Sequence, residues 1–273
     1  MTSIVGVRCR DGVVIGADSS STFSATSQIP TIEQPTAGKI NIYGGRVIVA
    51  GTGEVGLAQR FGAVVEKMVS DLGSKLPTGI ECGKGLAKAG IQDFQSTGVK
   101  GGYGALVAFP CKDAPHLCEF PATNFQPELK TDDIWYVSLG SAQLITDPFL
   151  GFLRQVFWED GPPALQDGIF SAVWTLEQAI NLNPGGVKGP VRISILERNP
   201  SKTQGHPWIA RSLSDEEIEV HSQNVDAARK HLRSFREQHA AEAAAGLPAP
   251  PAAPVVPAGP LPSADANESM RAG

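Results

Sequence analysis

Residues 2–18, TSIVGVRCRDGVVIGAD, contain two short apolar runs separated by a polar turn. Both runs, residues 4–7 and 13–17, are rich in β-branched side chains, and Arg10, Asp11 and Gly12 lie between them. Such runs joined by an Asp-Gly turn are typical of a β-hairpin. The chain is therefore predicted to begin with two antiparallel strands.

The hairpin is followed by a polar loop rich in Ser, Thr and Pro, and then by alternating blocks of strands and helices. Period-2 or β-branched runs predict strands at 39–43, 46–50, 103–109, 117–120, 135–139, 191–196 and 208–212. Apolar residues at helical spacing predict helices at 57–68, 80–94, 142–158, 163–180 and 214–241. Paired strand blocks that alternate with paired helix blocks favour an α+β fold, a four-layer αββα sandwich, over a parallel sheet.

The composition changes abruptly near the end of the chain. From Gly246 onward Pro and Ala dominate, and large apolar residues are too few to offset the entropy of ordering. We therefore expect one domain at residues 1–241 and a disordered Pro/Ala-rich tail at 242–273.

Charge and composition exclude several classes of function. The formal net charge is -5 and the basic residues are scattered, so no nucleic acid partner is expected. No apolar run is long enough for a membrane span and no leader pattern is present, which predicts a cytoplasmic protein. The four cysteines lack CxxC spacing and the five histidines are dispersed, so free thiols, no metal and no cofactor are expected.

Thr2 follows the initiator Met1 directly, and a residue this small permits removal of the methionine. An N-terminal threonine then offers a nucleophile and a base in one residue, because an α-amine with a pKa of about 7.7 to 8.0 can accept the proton of the hydroxyl. A cation beside the hydroxyl would assist further, and a buried cation needs a carboxylate partner.

The sequence from Thr2 through Asp18 and into the serines that follow resembles the opening of proteasome β-subunits, which are N-terminal nucleophile hydrolases. The resemblance covers roughly residues 2 to 200 and implies that Thr2 is the nucleophile of a threonine peptidase. It places Asp18 on the family's aspartate and, after a short insertion, Lys39 on its catalytic lysine.

The same resemblance implies roles for two further groups. Gly53 falls on the glycine whose N–H forms the oxyanion hole, at the start of a helix, where unsatisfied donors favour negative charge. Ser141, in Ser138-Leu139-Gly140-Ser141, falls on the serine beside the threonine amine. A serine before a helix is also a common N-cap, and that alternative stays open.

Substrate contacts are also implied by the resemblance. Thr22 corresponds to the threonine that aligns the substrate backbone. The pocket for the residue before the scissile bond would be formed by Ser21, Ala37, Gly51, Val55 and Gln59. Because several of these side chains are small, the resemblance implies a roomy pocket.

The family context also implies partners. Without a propeptide ahead of Thr2, the chain resembles bacterial proteasome homologues, which self-assemble into rings, more than archaeal or eukaryotic β-subunits. Peptides or unfolded proteins would be its substrates, and an ATPase unfoldase is a partner that the resemblance leaves open.

One departure from the family pattern bears on activity. Where the family has an aspartate and a serine that support the amine, this chain has Asn181 and Pro184. An amide cannot stabilise a cationic amine as a carboxylate does. Two alternatives to an efficient peptidase follow: a structural or weakly active ring with a decayed site, and an amidase or acylase of the same class acting on small molecules.

A last alternative comes from residues 51–56, GTGEVG, which match the dinucleotide-binding pattern GxGxxG. That pattern requires a parallel βαβ unit and an acidic residue about 20 positions further on. Asp71 lies at that spacing, but it comes after the predicted helix at 57–68 and not at the end of a second strand, and no βαβ unit follows. The pattern is therefore weak support for a dinucleotide site beside the proteasome resemblance.

Overall fold

The computed structural model describes residues 2–26, 29–34, 38–72, 75, 78–98, 101–182, 186–201 and 206–246, with side chains described except at 21–26, 29–34 and 241–246. In chain order the strands are β1 (Ile4–Arg8), β2 (Gly12–Ala17), β3 (Ser21–Thr26), β4 (Ile29–Gln34), β5 (Ile40–Tyr43), β6 (Val47–Gly53), β7 (Tyr103–Cys111), β8 (Ala114–Phe120), β9 (Glu128–Leu129), β10 (Tyr136–Leu139), β11 (Arg192–Arg198) and β12 (Trp208–Ser212). The helices are α1 (Val55–Met68), α2 (Gly79–Gln95), α3 (Gln143–Phe157), α4 (Leu165–Leu182) and α5 (Asp215–Gly246).

Two five-stranded sheets form the centre of the fold. The first has the strand order β10-β1-β2-β11-β12 and the second the order β5-β6-β7-β8-β9. Neighbouring strands in both sheets are antiparallel. β3 and β4 form a separate two-stranded sheet.

The inner faces of the two sheets share one apolar core. It joins Ile4 and Ile15 of the first sheet to Ile48, Leu106 and Leu117 of the second, all fully buried. Because successive side chains in a strand point to opposite faces, the other half of each strand is left to pack against helices.

The outer faces are covered by helices, one pair on each sheet. Outside the first sheet, Val5, Val7 and Val14 pack in a core with residues of α3 and α4, including Leu150 and Ile169. Outside the second sheet, the core contains β-strand residues together with residues of α1 and α2. The layers are therefore helix, sheet, sheet and helix, which confirms the predicted α+β sandwich.

The segment predicted as a polar loop after the first hairpin was wrongly assigned. Residues 21–26 and 29–34 pair as the antiparallel strands β3 and β4, with register shifts on either side of Ser24. Ser and Pro suggested a loop, but Thr, Phe and Ile in these segments suit a strand, and pairing satisfies their backbone groups. The two-residue strand β9 was also missed, and α5 continues to Gly246 rather than ending near 241.

The chain divides into two compact units, with the boundary between Arg229 and Lys230. In the described part of the second unit, Phe235 lies 4.3 Å from His239 between ring centroids. Of the predicted tail, 242–246 belong to α5, and 247–273 lie outside the described residues. Within the part of the chain that the structure describes, no helix combines the length and apolar character that a membrane span requires.

Candidate active site

The ends of four neighbouring strands of the first sheet, β10, β1, β2 and β11, lie side by side. Ile4 of β1 is opposite both Ala17 of β2 and Leu139 of β10, and Ala17 is also opposite Arg192 of β11. Thr2, Asp18 and Ser141 each lie just beyond one of these strands. The register of the sheet therefore gathers residues from the start and the middle of the chain.

A buried ion pair links these strand ends to the second sheet. The Lys39 ammonium lies 2.6 Å from Oδ1 of Asp18, and the two side chains are 6% and 0% exposed. The same Oδ1 accepts a hydrogen bond from the backbone N–H of Ser3 at 2.8 Å, and Oδ2 accepts one from Ser20 at 3.2 Å. One carboxylate thus joins the lysine to the backbone of the residue that follows Thr2.

Burial changes the acidity of this lysine. Desolvation lowers the pKa of Lys39 below its ordinary value, and the hydrogen bond and negative charge of Asp18 oppose that effect without cancelling it. The ammonium therefore gives up its proton more readily than an exposed lysine does.

Ser141 lies against Thr2 rather than capping a helix. The backbone nitrogen of Thr2 donates to Oγ of Ser141 at 3.1 Å, and that Oγ donates to the carbonyl oxygen of Thr2 at 3.3 Å. The backbone N–H of Ala142 reaches the same carbonyl at 3.4 Å. Because the N-cap of α3 is Ala142, the alternative interpretation of Ser141 as an N-cap is wrong.

Gly53 stands at the junction of β6 and α1. Its φ of +112° and the carbonyl of Gly102, which would lie 2.2 Å from a Cβ, restrict this position to glycine. The helix that starts at Val55 directs the positive end of its dipole towards this junction. Its use as an oxyanion-hole donor stays a prediction.

The expected substrate pocket is described only in part. Val55 is 51% exposed at the first turn of α1. The side chains of Ser21 and Thr22, and all of Ala37, lie outside the described residues. At Gly51 the space that a side chain would occupy is filled, since the hydroxyl of Tyr103 lies 2.2 Å from the position of a Cβ. Gly51 therefore does not enlarge the pocket as its size suggested.

Of the two departures from the family pattern, only Asn181 lies in the described part of the chain. Asn181 is exposed in the last turn of α4, and Pro184 lies outside the described residues. Among the described residues, Ser141 hydrogen-bonds to Thr2 and to no carboxylate. The support that the family gives to this serine is therefore not reproduced at Asn181.

A dinucleotide-binding unit at residues 51–56 is excluded by the topology. β6 pairs antiparallel with β5 and with β7, so the strand before the glycines belongs to no parallel βαβ unit. No cluster of three or more His, Cys, Asp or Glu side chains suited to a metal ion occurs in the described part of the chain.

Sequence reasoning missed a polar cluster beneath the Ser141 turn. Ser138 and Thr146 are fully buried, and Oγ of Ser138 donates to Oδ1 of Asp147 at 2.5 Å. Thr146 donates from its Oγ1 to Ser138 at 2.6 Å. Isolated Ser, Thr and Asp residues at a strand-to-helix turn carry no distinctive pattern, so only the packed structure reveals the cluster.

Comparison with known families gives a match in the first part of the chain. Residues 1–123 match the model of the proteasome subunit family. The matched segment contains Thr2, Asp18, Lys39 and Gly53, whereas Ser141 lies beyond it.

Solved structures extend the similarity in fold over most of the chain. One is a helical assembly of the Anbu complex from Pseudomonas aeruginosa, with TM-score 0.61 and 15% identity, covering 92% of this chain and 98% of that one. Another is Anbu, an ancestral beta-subunit, from Yersinia bercovieri, with TM-score 0.59 and 14% identity, covering 92% and 100%.

A third is an Anbu (Gly-1) mutant from Hyphomicrobium sp. strain MC1, with TM-score 0.60 and 16% identity, covering 86% of this chain and 97% of that one. No curated protein matches the chain significantly. At these identities the structures establish a shared fold, and the predicted relationship to a bacterial proteasome homologue is confirmed at that level.

Proposed function

We propose that this chain is an N-terminal threonine peptidase, in which removal of Met1 leaves Thr2 with a free α-amine. The observation that carries the proposal is the position of Asp18, whose Oδ1 binds both the Lys39 ammonium and the backbone of Ser3. The carboxylate that holds the buried cation therefore also binds the residue next to Thr2.

In the proposed reaction, Oγ of Thr2 attacks the carbonyl carbon of a peptide bond, and its proton passes to the α-amine of the same residue. The C–N bond then breaks as the amine returns the proton to the leaving nitrogen, which leaves an ester on Thr2. Water, deprotonated by the same amine, hydrolyses the ester, releases the acid product and restores the threonine.

The surrounding groups would stabilise charge during both steps. Lys39 favours the alkoxide character of Thr2 Oγ, and Asp18 keeps the lysine cation in place. Ser141 orients the amine through the contact that its Oγ makes with the Thr2 nitrogen. The N–H of Gly53, at the start of α1, would bind the oxyanion, and Ser21, Thr22 and Val55 would hold the substrate chain.

Self-association is part of the proposal. The proteasome subunit domain and the Anbu fold support assembly of several copies, since one of the similar structures is a helical assembly. We infer that the site operates inside a ring or helical oligomer in the cytoplasm on peptides or unfolded proteins. An ATPase unfoldase as a partner stays a prediction.

A second function, a structural assembly with little or no activity, has one observation in its favour. Asn181 is exposed at the position where the family has a supporting aspartate, so no acid from α4 reaches Ser141. Under this alternative the subunits assemble, but Thr2 does not react.

Intact mass combined with a peptide epoxyketone distinguishes the two functions. The probe forms a ring with the amine and hydroxyl of one residue, so it requires a processed N-terminal threonine. We expect purified protein to lack Met1 and to gain one probe mass. Thr2→Ala should abolish labelling, whereas Thr123→Ala, at an exposed loop threonine, should leave it unchanged. A processed protein that assembles but gains no probe favours the structural alternative.

A further inference from the structure

We propose that Asp147 of α3 is a positioning residue that holds the turn of Gly140, Ser141 and Ala142 against Thr2. Its effect on catalysis rests on the proposed threonine chemistry, whereas its effect on the turn does not. The carboxylate does not contact Thr2 or Ser141. It acts through the hydrogen bonds that enclose the turn from below.

The carboxylate fixes the two ends of the turn. Oδ1 of Asp147 accepts from Oγ of Ser138, next to the last residue of β10, at 2.5 Å. Oδ2 accepts from Nε2 of Gln143, the first residue of α3, at 3.0 Å. One carboxylate therefore connects the strand that leads into the turn with the helix that leaves it.

Thr146 completes the enclosure. Its Oγ1 lies within hydrogen-bond distance of Oγ of Ser138, at 2.6 Å, and of the carbonyl oxygen of Ala142, at 3.1 Å. Ser138 and Thr146 are both 0% exposed, so water cannot replace these bonds. Hydrogen bonds to an ionised carboxylate are about twice as strong as neutral ones, which makes Asp147 the strongest member of the cluster.

The enclosed turn contacts Thr2 through three hydrogen bonds. Ser141 binds the Thr2 nitrogen and carbonyl, and Ala142 binds the same carbonyl. A further hydrogen bond, from the backbone N–H of Gln143 to the carbonyl of Gly140 at 3.2 Å, closes the turn on itself. Loosening either end would move the serine away from the amine.

Asp147 provides the carboxylate that Asn181, an amide, cannot provide. Asn181 is exposed on α4, whereas Asp147 approaches the Ser141 turn from α3. The chain therefore has a carboxylate, Asp147, that supports the Ser141 turn from a different helix. It acts through Ser138 and Gln143 and not by direct contact with the Ser141 hydroxyl.

The test is a double-mutant cycle between Asp147→Asn and Ser141→Ala, read by the rate of epoxyketone labelling per folded molecule. We expect Asp147→Asn to slow labelling by about tenfold in the native background and by less than about twofold when Ser141 is already alanine. If Asp147→Asn slowed labelling by the same factor with and without Ser141, the two residues would act independently and the proposal would be overturned. Asp93→Asn, which removes a carboxylate paired with Arg60 between α1 and α2, is the matched control and should not change the rate.

Hydrogen exchange provides a readout that does not depend on activity. In Asp147→Asn the amide of Ala142, which is bonded to the Thr2 carbonyl, should exchange at least about tenfold faster, while amides of β2 keep their protection. Unchanged exchange at Ala142 would refute the role of Asp147 even if the native protein proved inactive. If Asp147→Asn fails to fold, Gln143→Ala removes only the Oδ2 contact and should produce the same local increase.

Discussion

The α-carbon of Gly140 faces the carbonyl oxygen of Thr2 so closely that a Cβ at residue 140 would lie 2.2 Å from that oxygen. Gly140 also has a φ of +101°, a conformation that other residues rarely adopt. The absence of a side chain at position 140 thus allows the turn before α3 to reach the start of the chain.

Gly140→Ala is expected to separate the turn from Thr2. Strain at a positive φ together with the clash should cost about 1 to 3 kcal/mol of unfolding free energy, and labelling of Thr2 should fall below detection. Denaturant unfolding and probe mass measure the two effects. Gly45→Ala is the matched control, since φ is +65° there but a Cβ at that position would meet no atom within 4 Å. Loss of labelling in the control as well would show that strain alone, and not contact with Thr2, is responsible.

Removal of the buried lysine should affect stability and reactivity together. Lys39→Met leaves Asp18 with two backbone donors but no cation, and breaking a buried ion pair typically costs about 3 to 5 kcal/mol. We expect destabilisation of that order in urea unfolding, and no labelling of Thr2 in the protein that remains folded.

Lys130 offers a control of the same residue type and burial. Its side chain is 4% exposed and lies 2.7 Å from Glu119, away from the candidate site. Lys130→Met should destabilise the protein comparably but preserve the labelling rate per folded molecule. Equal loss of labelling in the two variants would mean that Lys39 has only a structural role.

The same two lysines should give opposite dependences of stability on pH. Burial lowers the pKa of Lys39 below 10.5 despite Asp18, so between the lowered pKa and 10.5 the unfolded chain binds more protons than the folded one. Unfolding free energy contributed by Lys39 therefore rises with pH in that window. For Lys130, burial lowers the pKa, but hydrogen bonds to Glu119 and Glu128 outweigh it and the net pKa is raised.

The stabilisation from Lys130 is accordingly complete below 10.5 and is lost as pH rises through its raised pKa. Urea unfolding between about pH 8 and pH 11, compared with each methionine variant, measures both slopes. Slopes of the same sign for the two lysines would contradict the burial and pairing described for them.

The four cysteines should be unreactive in the folded protein. All are buried, and burial raises the pKa of the Cys9 thiol far above its ordinary value and that of Cys118 to about 12. Since the thiolate is the reactive form, brief treatment with N-ethylmaleimide at about pH 7 should add no mass. Treatment in denaturant should add four reagent masses, one for each cysteine. Rapid modification without denaturant would show that the apolar cores between the sheets and their helices open readily.

The fold was predictable where local pattern and packing agree. The first hairpin has β-branched runs on both sides of an Asp-Gly turn, and its strands lie at the centre of a buried sheet. β3 and β4 were not predictable in the same way, because Ser24 and Pro30 give a loop-like composition. Their pairing depends on a partner strand that no local window contains.

The candidate site was predictable only as far as the family resemblance reaches. Asp18 and Lys39 lie 21 positions apart, and neither residue alone indicates an ion pair. Asp147 was not predicted, because its importance arises from Ser138 on a neighbouring element rather than from any motif. The filling of the space at Gly51 by Tyr103 likewise depends on the pairing of β6 with β7.

The strand order of the first sheet has a consequence for chains whose synthesis stops early. β1, although first in the sequence, is bordered by β10, and β2 is bordered by β11. A product that ends before residue 136 possesses the threonine but lacks the serine, the turn and one neighbour of its own strand. Such a fragment therefore cannot form the contacts between Ser141 and Thr2, and the candidate site exists only in a chain translated beyond α3.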